Sequence, residues 1–161
     1  KSYIANYGED CYRRIYCYEI TPASFEKLKQ AADGLRDIER RQKGVADAPG
    51  VLSLVTNPSA SSNRLGSVGD AEVEVTTLDE DITEPVTLII ADIEGSEYRA
   101  LCGARRHIER EHPKLLISVY HSNDDLWRIP QLIDELAPGY EFHLRFRSSP
   151  IYPTEITLLA V

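Results

Sequence analysis

Residues 86–121 constrain the fold more than any other stretch: an apolar run, an acidic turn, an amphipathic segment and a second apolar run follow without a break. Val86 to Ala91 reads V-T-L-I-I-A and stops at Asp92, Glu97 to Glu111 carries Tyr98, Leu101, Cys102 and Ile108 on one helical stripe, and Leu115 to Tyr120 is apolar again. Short, uninterrupted apolar runs of this kind predict buried strands, and two strands joined through a helix are the repeating unit of a parallel sheet.

The same order extends in both directions. Arg14 to Ile20 is a β-branched and aromatic run that closes on Glu19, and it predicts another buried strand. Thr21 offers an N-cap and Pro22 suits the first helical position, after which Phe25, Leu28, Ala32 and Leu35 recur at near-helical spacing, predicting a helix of about three turns. Arg40 to Val45 and Val51 to Val55 read as short strands, Asn57 to Gly69 as a loop rich in Ser, Asn and Gly, and Glu72 to Leu78 as a half-exposed strand with Val73, Val75 and Thr77 on one face.

Asp125 to Leu136 predicts a helix with Leu126, Ile129, Leu132, Ile133 and Leu136 inward, provided Pro130 falls in its first turn, and Pro138 and Gly139 end it. Trp127 reads as a packing residue. Tyr140 to Arg147 and Glu155 to Val161 predict a terminal antiparallel ribbon around a Ser148 to Pro153 loop. Alternating strands and helices followed by two strands give a single α/β domain with a mostly parallel sheet, a carboxyl-terminal antiparallel hairpin and helices on both faces.

Composition narrows the function. The chain has 161 residues and a formal net charge of -8, so it lacks the basic field that draws proteins to phosphate backbones, and no nucleic-acid partner is expected. No run approaches the roughly 20 apolar residues of a membrane-spanning helix, so no membrane partner is expected either. Cys11, Cys17 and Cys102 are odd in number and widely spaced, which argues against a disulfide framework and for a reducing, cytoplasmic location. No metal site is expected: the cysteines are scattered, and His107 and His112 do not share a helical face.

In open α/β sheets ligands bind beyond the carboxyl ends of the strands, where this sequence places Glu19, the Asp92, Glu94 and Glu97 group, and His121. Glu19 stands where a carboxylate accepts hydrogen bonds from ribose hydroxyls, or where it simply complements the start of the following helix. Three carboxylates within Asp92-Ile93-Glu94-Gly95-Ser96-Glu97 either accept a substrate proton or bind a cationic group, or else serve the helix dipole and the backbone. His121 is placed as a general base, or as a solvated loop histidine. Nucleophile elbow, phosphate-binding glycine-lysine loop and CxxC pair are absent, which removes support from hydrolase, ATPase and redox functions.

The block V-T-L-I-I-A-D-I-E-G-S-E-Y-R-A-L-C-G-A from Val86 to Ala104, then P-K-L-L-I-S-V-Y-H to His121 and D-L-W-R-I-P from Asp125 to Pro130, closely resembles the FkbM-type S-adenosylmethionine-dependent methyltransferases, as does Tyr16 to Leu28. The resemblance implies a Rossmann-like class I methyltransferase fold with S-adenosylmethionine as cofactor. It implies that Glu19 holds the ribose, that Asp92 and Glu94 line the site near the methyl group and acceptor, and that His121 faces them. Methyl transfer to a hydroxyl oxygen follows, on a small-molecule or glycan acceptor, with Asp92 or His121 as the base. A catalytically silent module that binds a nucleotide or a partner protein is the alternative, and a nicotinamide-binding reading of Glu19 comes third.

The sequence departs from the family pattern in two places. Ile90 stands where many members carry a lysine two places before the aspartate. The family's first strand and glycine-rich loop are not found, and in this fold that strand lies centrally in the sheet. A single methyltransferase-like domain over residues 1–161, incomplete at its amino terminus, is the expectation.

Overall fold

Thr21 and Pro22 do start a helix in the computed structural model, which describes residues 8–55, 64–66, 69, 71–146 and 155–161. The Thr21 hydroxyl accepts a hydrogen bond from Ser24 N at 3.2 Å, which satisfies one of the donors a helix start leaves open. The described chain forms two units, residues 1–44 and 45–161.

The first unit is one strand, helix, strand crossover. Strand β1 (Ile15–Tyr18) leads into helix α1 (Pro22–Ala31), and β2 (Ile38–Arg41) returns parallel to β1 with Ile15 beside Ile38 and Tyr18 beside Arg41. The sequence predicts a buried strand from Arg14 to Ile20, but β1 is four residues long and half-buried throughout. Among the described residues β1 pairs with β2 alone, so its apolar side chains lack the second neighbour that full burial needs. The expected strand over residues 40–45 divides into β2 and the two-residue β3 (Gly44–Val45).

In the second unit one sheet is antiparallel. Its strands β4 (Gly50–Val55), β5 (Arg64–Gly66) and β6 (Ala71–Thr76) follow the sheet order β3-β6-β4-β5, with Leu52 opposite Val73 and Leu54 opposite Leu65. β5 falls inside the segment expected to be a loop, most of whose other residues lie outside the described ones. Val73 and Val75 are buried as expected, but Thr77 leaves the strand to cap helix α2 (Leu78–Asp81), accepting from Glu80 N at 3.1 Å.

The second sheet holds the strands singled out by the sequence. β7 (Leu88–Ala91) is followed by α3 (Glu97–Cys102), α4 (Arg105–Glu111), β8 (Lys114–Ser118), α5 (Asp125–Leu136), β9 (Phe142–Phe146) and β10 (Ile156–Ala160), in the order β7-β8-β10-β9. β7 and β8 are parallel, and β10 runs antiparallel to both β8 and β9, so the expected hairpin closes the sheet. Its Ser148 to Pro153 connection lies outside the described residues.

One face of this sheet, carrying Ile89, Leu115, Ile117, Leu158 and Ala160, is buried together with Leu101, Ile108, Ile129 and Ile133 of the helices. The other face is different. Ile90 lies beside Leu116, and Leu116 beside Leu159, yet Ile90 is 66% exposed. β7 alternates between exposed and buried, so the expectation of a strand buried on both faces fails there.

The single helix expected from Glu97 to Glu111 is two helices that break at Gly103. A side chain at Gly103 would place its Cβ 2.0 Å from the Ala46 carbonyl oxygen, so the chain docks at a distance only glycine allows. The Gly103 carbonyl accepts from Asp79 N at 2.9 Å instead of continuing a helix. Beyond the break, His107 is fully buried, its Nδ1 2.8 Å from Glu111 Oε2 and its Nε2 3.1 Å from the Ile82 carbonyl. Glu111 also accepts from Val86 N, which ties α4 to the entry of β7.

In α5, Ile129, Leu132, Ile133 and Leu136 are buried as expected, while Leu126 and Trp127 are exposed. Pro130 is the sixth helical residue and not in the first turn, so the helix tolerates an interior proline at the cost of one backbone hydrogen bond.

Candidate functional site

The parallel register that sets Ala91 beside Ile117 brings the residues after β7 and the residues after β8 to the same sheet edge. Asp92 follows β7 directly. Glu94 and Gly95 then take successive left-handed conformations, φ 56° and φ 92°, and turn the chain into α3. Glycine adopts that backbone freely, whereas Glu94 does so at a cost of about 1 kcal/mol or more, a strain that concentrates where side chains must be aimed.

Glu97, the first residue of α3, folds back so that Oε1 accepts from Ile93 N at 2.8 Å. Its side chain has no exposure to solvent. After β8, Val119 is buried, Tyr120 donates its hydroxyl to Asp92 Oδ1 at 3.1 Å, and the His121 ring lies against the Tyr120 ring with centroids 4.1 Å apart.

His121 is the centre of the cluster. Nε2 stands 3.7 Å from Asp92 Oδ1 and 3.5 Å from Glu94 Oε2, and Nδ1 stands 3.0 Å from Glu97 Oε1. The Nδ1 contact is a close ion-pair approach off the line of a hydrogen bond, so neither ring nitrogen has a hydrogen-bond partner, and neither has Glu97 Oε2. Asp92, Glu97 and His121 each offer one donor atom, all within 4.8 Å of one another.

Burial pushes the His121 imidazole down, but the Glu97, Glu94 and Asp92 carboxylates together outweigh it and hold its pKa above the ordinary value of 6.5. The ring therefore favours its charged form, which suits it to hold an anionic or developing negative charge more than to take a proton at neutral pH. The Tyr120 phenol is pushed up to about 12 by burial and by Asp92, so it stays protonated and remains a donor.

The residues singled out by the sequence divide by unit. Asp92, Glu94 and His121 converge in the second. Glu19 belongs to the first, where it follows β1 and its Oε1 accepts from Ile20 N at 2.9 Å and Thr21 N at 3.4 Å, serving the start of α1. Glu97 reads in sequence as part of the acidic group at the strand end, to take a proton or a cationic group or else to serve the helix dipole, and nothing there signals its return to Ile93; Tyr120 is not singled out. Tyr120 is the last residue of an apolar run, and only the turn after Ser118 brings its hydroxyl to Asp92.

Residues 8–147 match the methyltransferase FkbM domain family. The chain is similar in structure to an FkbM methyltransferase from Methylobacillus flagellatus, with a TM-score of 0.78 and 23% identity over 99% of this chain and 40% of that one. It is also similar to an rRNA methylase from Streptococcus thermophilus, with a TM-score of 0.57 and 13% identity over 91% of this chain and 72% of that one. For fibrillarin from Aeropyrum pernix, a structure with bound S-adenosyl-L-methionine, the TM-score is 0.52 and the identity 15%, over 98% of this chain and 60% of that one. No curated protein matches the chain. At these identities the structural likenesses establish the class I methyltransferase fold, of the Rossmann-like α/β type, and the family match establishes the family. The chain spans about 40% of the length of the FkbM structure it resembles. It belongs to the FkbM methyltransferase family, whose cofactor is S-adenosylmethionine.

Proposed function

We propose that this protein transfers the methyl group of S-adenosylmethionine to a hydroxyl oxygen of a small-molecule or glycan acceptor. The observation that carries this reading is the convergence of Asp92, Glu94 and His121 beyond the carboxyl ends of two neighbouring parallel strands, in a chain of this family. An acidic chain of net charge -8, with three carboxylates at that edge, suits a neutral polyhydroxyl acceptor over a phosphate backbone.

The reaction is an in-line displacement. The acceptor oxygen forms a bond to the methyl carbon as the carbon–sulfur bond breaks, its electron pair passes to sulfur, and the uncharged thioether S-adenosylhomocysteine leaves. The hydroxyl proton passes to the Asp92 carboxylate, which is 59% exposed and open to an incoming acceptor, and from there to solvent. Tyr120 orients Asp92, and the charged His121 ring steadies the negative charge that gathers as the proton departs. Glu94 would line the site near the cofactor's methyl group. Glu19 is the residue proposed to take the cofactor's ribose hydroxyls, through Oε2, since Oε1 serves the backbone.

Among the described residues β7 pairs only with β8, and its neighbouring face leaves Ile90 exposed. This supports one further reading: the chain is a single methyltransferase domain whose β7 takes one more parallel strand from a longer protein.

The test is calorimetry with S-adenosylmethionine together with mass analysis of the product. Micromolar binding by the protein, weakened by Glu19→Ala, with a methyl ether formed on a polyhydroxyl acceptor, is the expected result. Binding without any methyl transfer across an acceptor panel contradicts the enzyme reading and leaves a silent binding module.

A further inference from the structure

Three buried polar atoms in the site, Glu97 Oε2 and both ring nitrogens of His121, have no hydrogen-bond partner among the described residues. A buried polar atom left unmet is costly, and native proteins hold few of them. Their proximity calls for a ligand that Glu97 and one nitrogen of the His121 ring can share. Glu97 has no solvent exposure and the His121 side chain is nine-tenths buried, so bulk water does not reach them freely.

Charge decides what that ligand is. Asp92, Glu94 and Glu97 all face one imidazole, and that imidazole is their ion-pair partner; no lysine or arginine among the described residues pairs with any of them. A water molecule would meet hydrogen bonds but leave the excess negative charge in place. A cation meets both needs.

We propose that Asp92, Glu97 and His121 bind a divalent cation of the Mn²⁺ or Zn²⁺ class, with Glu94 at its edge. One donor atom from each of the three residues lies within 4.8 Å of the others, close to the roughly 4.2 Å that separates opposite ligands on an ion bound at about 2.1 Å. Two carboxylates and an imidazole favour a transition cation over Mg²⁺ or Ca²⁺, which prefer all-oxygen surroundings. Asp92 is the exposed ligand, so the open coordination positions face the approach of an acceptor. In the methyl-transfer reading, on which this further step rests, the cation displaces the proton from the His121 ring and takes over its positive charge, binding the acceptor's hydroxyl oxygen and easing passage of the hydroxyl proton to the free Asp92 carboxylate oxygen and on to solvent.

The test is calorimetric titration of the chelator-treated protein with MnCl₂ and with ZnCl₂, with no cofactor or acceptor present, backed by the paramagnetic resonance signal of bound Mn²⁺. The expected result is one cation per chain, with affinity reduced at least tenfold in Asp92→Asn and in His121→Ala. Asp134→Asn, an exposed acidic change on α5 outside the cluster, leaves the affinity unchanged. Asp92 is exposed, so its variant folds even if a change at the buried positions does not. Absence of binding at millimolar cation, or binding indifferent to both cluster variants, overturns the proposal. Because binding is read without turnover, this failure leaves the methyl-transfer reading standing, and failure of methyl transfer leaves the cation site standing.

Discussion

Oε1 of Glu97 lies 3.0 Å from Nδ1 of His121, and it is the same oxygen that accepts the Ile93 N–H at 2.8 Å. One buried carboxylate thus fixes both the turn after β7 and the residue after β8. Glu97→Gln keeps an acceptor for Ile93 N and removes the charge, whereas Glu97→Leu leaves that N–H unpaired. Glu97→Leu is expected to cost about 1–3 kcal/mol more than Glu97→Gln in urea denaturation. Equal losses would show that the Ile93 contact contributes nothing.

Tyr120 holds Asp92 by a single hydrogen bond and stays protonated across the working range of the protein. Tyr120→Phe is expected to lower kcat by about 2- to 10-fold, the effect of one hydrogen bond, with KM for S-adenosylmethionine nearly unchanged. Steady-state kinetics with the cofactor and acceptor varied separately would check it.

Gly103 sits where a Cβ would be driven into the Ala46 backbone, which cannot swing aside as a side-chain tip would. Gly103→Ala is expected to destabilise the chain by about 1–3 kcal/mol, and by more if the strand behind Ala46 does not yield. Thermal denaturation reads this directly. A neutral result would mean that α3 and α4 can merge into the one continuous helix that the sequence suggests.

Burial pushes the Glu111 carboxyl up, but the Val86 N–H and the His107 ring outweigh it, so its pKa in the folded chain lies below the ordinary 4.5. A carboxyl depressed on folding contributes stability that is whole above its unfolded value and is lost as pH falls through its folded value. Urea midpoints measured from neutral pH downward are expected to fall in that acid window for the natural chain, and to fall less steeply for Glu111→Gln.

Local chemistry was legible in the sequence, and long-range docking was not. Thr21 and Pro22 announced α1 because a cap and a fixed proline φ act within one turn. The terminal hairpin and the strands that precede Asp92 and His121 followed from alternation and run length, while their pairing as neighbours is seen only in the structure. The break at Gly103 depends on the Ala46 carbonyl, a partner in another part of the chain, and the helical stripe of residues 97–111 runs across it unmarked. Ile90 and Trp127 read as core residues because hydrophobicity states what a side chain favours, not whether a covering layer is present in this chain. At the site, Asp92, Glu94 and His121 were legible as polar residues at strand ends. Glu97 was legible there too, but its buried role was not, since that depends on folding back onto Ile93.

Proton removal at Asp92 is the centre of this account, and transfer of a labelled methyl group from S-adenosylmethionine to a polyhydroxyl acceptor tests it most directly. The protein is expected to label the acceptor oxygen, and Asp92→Asn to reduce single-turnover transfer by about a hundredfold or more while cofactor binding is retained. Transfer by Asp92→Asn at the natural rate would contradict it.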